Sequence, residues 1–409
     1  MLENNWNSAT KRGIFRLAVA VAFVSAAGQA LAQNALPARI KIGGLAGLSG
    51  PGAGAAFSSA TGIRLAVKEI NDAGGILGRP VDLILGDDQS DAAQAVNEAR
   101  RLTSVEKVNV VFGPAYTQTA LAVAPILTGA KTLSIGTPAS SAYNASIAPY
   151  GFSTYFSTTS YSKAMVDYAA DVLKAKKVAL ISDNGGQSKD AAASIQRLAA
   201  ERGLTVVGVQ QHEFNATDVT PQLLSLKRGE PDALLQVSSL GEDGGLIFKT
   251  VREMNWNIHI ISSSAGQAMA QVLKAGGPNI FASGTIAAAT LKAFTYCPGD
   301  KEGSSMLPQF AARLKAYLGK DADKVSATSA NLAYDAGIIF KAAVEATKSL
   351  DGPTLAAWIE KNAHNIVGVS GRFSNPQNGA RQLIGPDGLA FAIRPDVVRS
   401  DGLTQRAGC

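Results

Sequence analysis

Histidine and cysteine are scarce in this chain, three and two copies among 409 residues. His212, His259 and His364 lie far apart with no partner at metal-ligand spacing, so no metal and no cofactor is expected. A G-x-x-x-x-G-K-[ST] phosphate loop and a G-x-S-x-G nucleophile elbow are both absent. Basic residues form no block and are not interleaved with aromatics, which make up 6% of the chain. That excludes the footprint of a nucleic-acid binder, and the formal charge of +6 reads as a solubility feature. The paired carboxylates Asp87-Asp88 and Glu242-Asp243 suit turns or helix caps better than an acid–base couple. Nothing here assembles a catalytic constellation, and an enzyme is not expected.

What is present is an ordinary globular composition, 46% hydrophobic and 17% charged with 41 Gly and 16 Pro. That length and mixture suit two or three lobes. Near the start, Lys11, Arg12 and Arg16 precede an apolar run at 17–27, and Gln29-Ala30-Leu31-Ala32-Gln33 follows. A basic head, a short apolar stretch and a small-x-small site describe a secretory signal at 1–32 cleaved after Ala32. The run is well short of the roughly 20 residues that a spanning helix needs. No cysteine sits beside the cleavage site, which argues against a lipid anchor. The expected location is therefore periplasmic, where two leftover cysteines tend to pair, and a Cys297–Cys409 disulfide tethering the C-terminus is expected.

Beyond Pro37 the pattern alternates strand and helix. Apolar strands are expected at 40–44, 81–85, 108–112 and 132–135, with helices at 59–73, from Asp91 onward, and at 117–129 between them. Ile63, Val67 and Ile70 share one face, and Asp91 is a good N-cap. A second series follows, with strands at 178–182, 205–209, 233–237 and 259–262 and helices at 189–202, 218–226 and 242–254. Pro221 falls in a first turn, where its missing N–H costs little. Later helices are expected at 308–318, 329–348 and 355–361, followed by a short β-like tail. Two tandem alternating series imply an α/β architecture of two similar lobes with parallel sheets flanked by helices.

Ligands of open parallel sheets bind beyond the carboxyl ends of the strands. The turns at 47–57, 113–119, 136–141, 183–189, 238–243 and 262–267 are rich in Gly, Ser, Thr, Asn and Gln, a hydrogen-bonding lining. They nominate Ser49, Phe57, Tyr116, Thr117, Ala139, Ser140, Gln187, Ser239 and Ser264 as ligand-binding residues. Thr117 and Thr119 stand at a helix start, which favours an anion. Ser140 and Ser141 follow the next strand, and simple capping explains Thr117 and Ser140 equally well from local chemistry. Gly44-x-x-Gly47-x-x-Gly50 with Asp87 downstream evokes a dinucleotide site, but the G-x-G-x-x-G spacing is not met.

The order Ile40-Lys41-Ile42, Leu48-Ser49-Gly50-Pro51, Gly62-Ile63, Ile70-Asn71-x-x-Gly74-Gly75-Ile76-x-Gly78, Asp87-Asp88 and Phe112-Gly113-Pro114 resembles the leucine/isoleucine/valine-binding class of type I periplasmic solute-binding proteins of ABC importers. Thr137-Pro138-Ala139-Ser140, residues 178–183 and Pro231-Asp232-Ala233 agree, so the resemblance spans essentially the whole processed chain. It implies two Rossmann-like lobes on a three-segment hinge, with crossings near 155–156, 286–289 and 370–373. The lobes would then be 38–155 plus 288–370 and 156–287 plus 371–409. It implies that Thr117, Ala139 and Ser140 hold a ligand carboxylate, with membrane permease subunits as partners and the chain a monomer. The second lobe departs from the pattern: Gln187 and the Ser239-Leu240 turn replace aromatics, and Ser263 or Ser264 stands where an acid would meet an α-ammonium. A buried ammonium without a carboxylate is poorly compensated. A ligand lacking that group is therefore expected, unless Glu242, Asp243 or Asp183 replaces the acid. A sensor subunit remains an alternative, as does an oxidoreductase on a Rossmann-like scaffold.

Overall fold

Short, largely apolar strands bounded by turns set the architecture. In β6 (Lys177–Asp183) and β8 (Ala233–Val237) every residue but Lys177 is buried, the mark of strands covered on both faces. The computed structural model describes residues 36–50, 53–263, 269–301 and 305–409. Residues 39–409 form one compact unit. The expected signal segment at 1–32 lies outside the described residues. Among the described residues no helix is long and apolar enough to cross a membrane.

In chain order the first series runs β1 (Ile40–Ala46), α1 (Ala53–Asp72), β2 (Val81–Asp87), α2 (Ala92–Arg100), β3 (Val110–Phe112), α3 (Thr117–Gly129), β4 (Leu133–Gly136) and β5 (Gly151–Phe156). Asp91 caps α2, its Oδ1 accepting from the Ala93 and Gln94 amides at 2.9 Å each. The second series begins with α4 (Thr158–Asp167) and β6, then α5 (Gly186–Glu201), β7 (Thr205–His212) and α6 (Thr220–Lys227). After β8 come α7 (Gly241–Glu253), β9 (His259–Ser262), α8 (Met269–Gly276) and β10 (Ile286–Leu291). A third stretch holds β11 (Thr295–Tyr296), α9 (Leu307–Leu318), α10 (Ala327–Thr347) and α11 (Gly352–Asn362). It ends with the hairpin β12 (Val367–Gly368) and β13 (Gly371–Arg372), then β14 (Gln382–Ile384), β15 (Leu389–Ala392) and β16 (Thr404–Gln405).

Two six-stranded sheets result, ordered β14-β5-β4-β3-β1-β2 and β15-β10-β9-β8-β6-β7. The first is wholly parallel, and the second is parallel except where β15 runs against β10. In each, the strand order reverses beside its first strand, between β1 and β3 and between β6 and β8, which opens a crevice at the carboxyl ends.

The chain passes between the sheets three times. The first crossing follows Phe156, the last residue of β5. The second lies beyond Leu291 rather than at 286–289, because Ile286–Leu291 is a buried strand paired with both β9 and β15. The third falls between Ile384 and Leu389 rather than at 370–373, because Gln382–Ile384 extends the first sheet beside β5. Residues 288–291 thus belong with the second lobe and 371–384 with the first. Asp335 of α10, wholly buried, fixes the β12–β13 turn by accepting from the Val369 and Ser370 amides at 2.8 and 2.9 Å. Burial pushes its carboxyl up to about 6, against those stabilising hydrogen bonds. Cys297, on the second crossing, is disulfide-bonded to Cys409 with Cα atoms 5.5 Å apart, and β11 pairs with β16 alongside.

Candidate functional site

The carboxyl ends of β3 and β4 supply the first wall. Gly113 takes φ +113°, and a Cβ there would stand 2.0 Å from the Leu45 carbonyl oxygen, so only glycine lets the chain leave β3 against β1. The chain then turns into Tyr116 and the start of α3. Thr117, 2% exposed, does not cap its own helix. Its Oγ1 accepts from the Ala139 and Ser140 amides at 3.2 and 3.4 Å, so the hydroxyl ties α3 to the turn after β4 and keeps its own proton to donate. Ala139 is fully buried, and its carbonyl accepts from the Thr158 amide at 2.7 Å, locking this turn to the first crossing.

The second wall comes from the ends of β6, β7 and β8. Asp183 accepts from the Gly185 amide at 2.7 Å and from both the amide and the hydroxyl of Ser239, the hydroxyl at 3.2 Å. Ser239 also shares a hydrogen bond with Ser188, 3.1 Å between hydroxyls. Gln187 lies half-buried in the first turn of α5. A Cβ placed on Gly186 would meet only the Thr117 methyl, at 3.7 Å, so the two lobes face each other closely there with room left by the missing side chain. Three helices start in this region, α3 at Tyr116, α5 at Gly185 and α7 at Leu240, and none has a capping side chain. Their first-turn amides and dipoles are therefore available to an anion.

The structure gathers Tyr116, Thr117, Ala139, Ser140, Gln187 and Ser239 at these facing edges. Ser49 is engaged elsewhere: its hydroxyl and amide donate to Asp87 at 2.7 and 3.2 Å, organising the loop after β1. Desolvation raises the Asp87 carboxyl, but the hydrogen bonds from Ser49, Gln89 and Leu48 outweigh it and hold the group below its ordinary value. Phe57 on α1 is 38% exposed. Ser264 lies outside the described residues.

Two residues at these edges carry no local sequence signal. Phe214, in the loop after β7, sets its ring edge-on to Tyr116 across the lobes, centroids 6.2 Å apart and planes at 88°, with Leu240 packed against the pair. Asn184 and Asp243 hold that loop by accepting from the Phe214 and Asn215 amides at 2.9 and 3.1 Å. Asp190 of α5 reaches the first-lobe hydroxyls of Ser140 and Ser141. Burial foremost, then Glu242 and Asp88, push the Tyr116 hydroxyl well up. Burial likewise brings Asp88 and Asp243 to about 6. For Asp243 the Asn215 amide and His212 pull the other way, and Asp183 adds to the rise.

Two doubly wound sheets joined by three crossings, with turns at the strand ends of one facing those of the other, define a bilobed α/β architecture of the binding-protein type. The profile of the periplasmic binding protein family matches residues 39–384, and the chain belongs to that family. The Leu/Ile/Val-binding protein homolog 7 of Brucella melitensis biotype 1 is 26% identical over 392 residues, covering 90% of this chain and 94% of its own. LivJ, a branched-chain amino acid transporter substrate binding protein from Streptococcus pneumoniae solved with isoleucine, aligns at TM-score 0.73 and 22% identity. That alignment covers 90% of this chain and 99% of LivJ. A solute binding protein of an ABC transporter from Rhodopseudomonas palustris BisB5, solved with 3,4-dihydroxy benzoic acid, aligns at TM-score 0.74 and 23% identity, covering 90% and 96%. These likenesses establish the type I periplasmic binding protein fold. The family is one of extracytoplasmic binding proteins for small ligands.

Proposed function

We propose that this chain is the solute-binding component of an ABC importer and closes its lobes over a small carboxylate, an organic or aromatic acid in preference to leucine, isoleucine or valine. The observation that carries the reading is the convergence of three uncapped helix starts with the Thr117 hydroxyl, whose proton is free to donate. Donors of this kind suit a carboxylate without needing a basic side chain. The Tyr116–Phe214 pair offers apolar ring surface beside them, which suits a flat acid. Uncharged Gln187 suits a carbonyl, a hydroxyl or a second carboxylate at the far end, whereas Ser239 spends its proton on Asp183 and can only accept there. Both ligand types occur on this fold among the related structures, since one was solved with isoleucine and another with 3,4-dihydroxy benzoic acid.

Native mass spectrometry of freshly purified protein identifies a retained ligand, and competition calorimetry ranks it against the branched-chain amino acids. Micromolar or tighter binding of one of those amino acids, abolished by Glu242→Gln, replaces the acid with an amino acid in this reading. N-terminal sequencing of exported protein is expected to start at Gln33.

A further inference from the structure

Asp190 belongs to the second lobe by its place in α5, yet its half-buried carboxylate is held by the turn after β4 and by the first crossing. Oδ2 accepts from the Ser141 amide at 2.8 Å, from the Ser140 and Ser141 hydroxyls at 3.1 Å each, and from the Thr158 hydroxyl. Oδ1 accepts from the Ser141 hydroxyl at 3.0 Å. A hydroxyl has one proton. That of Ser140 goes to Asp190, and its oxygen accepts from the Ala142 amide at 3.1 Å, so in this arrangement Ser140 has nothing left to donate. The donors nearest to Thr117 that an incoming carboxylate would use are therefore already spent on a carboxylate of the chain itself. Two carboxylates do not share one proton donor, and like charges so close repel.

We propose that Asp190 determines ligand specificity as a built-in competitor. It occupies the Ser140 and Ser141 donors while the cleft is empty and holds the lobes together. A ligand carboxylate must displace it, so only ligands with enough further contacts do so. The proposal rests on the reading of the cleft as a carboxylate site, but the contact itself is independent of that reading.

The test uses the full-length protein, stripped of ligand by unfolding and refolding, as wild type, Asp190→Asn, Asp190→Ala and Ser141→Ala. Small-angle scattering without ligand reads the closure, and calorimetry reads binding of benzoate, 3,4-dihydroxybenzoate and leucine. Both Asp190 variants are expected to have a larger radius of gyration than wild type. They are also expected to bind a carboxylate probe at least about tenfold tighter, about 1.4 kcal/mol. Ser141→Ala removes one hydroxyl donor but leaves the Ser141 amide, Ser140 and Thr158 on the charged Asp190, so it is expected to expand less than either Asp190 variant and not to tighten. An unchanged radius in both Asp190 variants overturns the proposal, and so does equal or weaker probe binding where the wild type binds. If no probe binds any form, the carboxylate reading fails, and the radius of gyration alone decides for or against Asp190.

Discussion

Thr117→Val separates the two tasks of one hydroxyl. Valine keeps the shape of threonine but removes an oxygen that accepts from the Ala139 and Ser140 amides and retains a proton for the cleft. The site is 2% exposed, so both amides lose their acceptor without gaining water. An orphaned buried donor costs about 1–3 kcal/mol, and bonds of 3.2 and 3.4 Å are at the weak end of the range. Unliganded stability is therefore expected to fall by about 1–2 kcal/mol. A hydrogen bond to a charged ligand is worth about 1.5–3 kcal/mol, so affinity for the bound acid is expected to drop roughly 10- to 150-fold. Urea unfolding of the stripped protein measures the first effect, and calorimetry with the ligand found by mass spectrometry measures the second. Thr117→Ser restores the hydroxyl and should restore most of both. If stability falls while the dissociation constant holds, the hydroxyl is only a tie between α3 and its neighbouring turn, and the anion-site reasoning is refuted.

Phe214→Leu removes the edge-to-face contact with Tyr116, worth about 0.5–1.5 kcal/mol beyond its area. Aromatic acids should therefore lose roughly two- to tenfold in affinity by calorimetry, and an unchanged value excludes Phe214 from the wall. Asp88, Asp243 and Asp335 are raised to about 6 by burial, above the unfolded value near 4. Between those values the folded chain binds more protons than the unfolded one. Their contribution is thus most favourable at low pH and is lost as pH rises through about 6. Urea unfolding across that window should show this slope, reduced in Asp335→Asn, and a variant with the parental slope refutes the assignment. Cys409→Ser opens a cross-link of sequence separation 112. The chain-entropy estimate for such a loop is about 4–5 kcal/mol of stability, an upper value, and a drop in the denaturation midpoint that matches reduction of the parent is expected.

The parallel strands were legible because runs such as Val178-Ala179-Leu180-Ile181 are apolar throughout and bounded by turn residues. Asp91 was legible because capping is a local act, complete within three residues. The third crossing was not, since Gln382–Ile384 is only three residues long and owes its strand character to β5, far away in sequence. The first wall of the site followed from strand ends and helix starts, which are local signals. Asp190 and Phe214 meet partners about 50 and 100 positions away, Ser140 and Tyr116, and no periodicity or spacing announces such a meeting. Ser49 shows the converse: its loop position suggested a ligand contact, while Asp87, on the neighbouring strand, claims its hydroxyl.

The strand order also governs when the chain can finish folding. The first sheet takes its last strand, β14, only after every parallel strand of the second has been synthesised, and the second waits for β15. A nascent chain that stops short of these strands has both sheets incomplete. Pairing over such distances is slow because the loop must close before any contact rewards it. For a chain threaded through a membrane before it folds, as the proposed processing implies, that delay is an asset. The interleaved topology keeps either lobe from setting early, and the Cys297–Cys409 cross-link can form only once Cys409 has emerged.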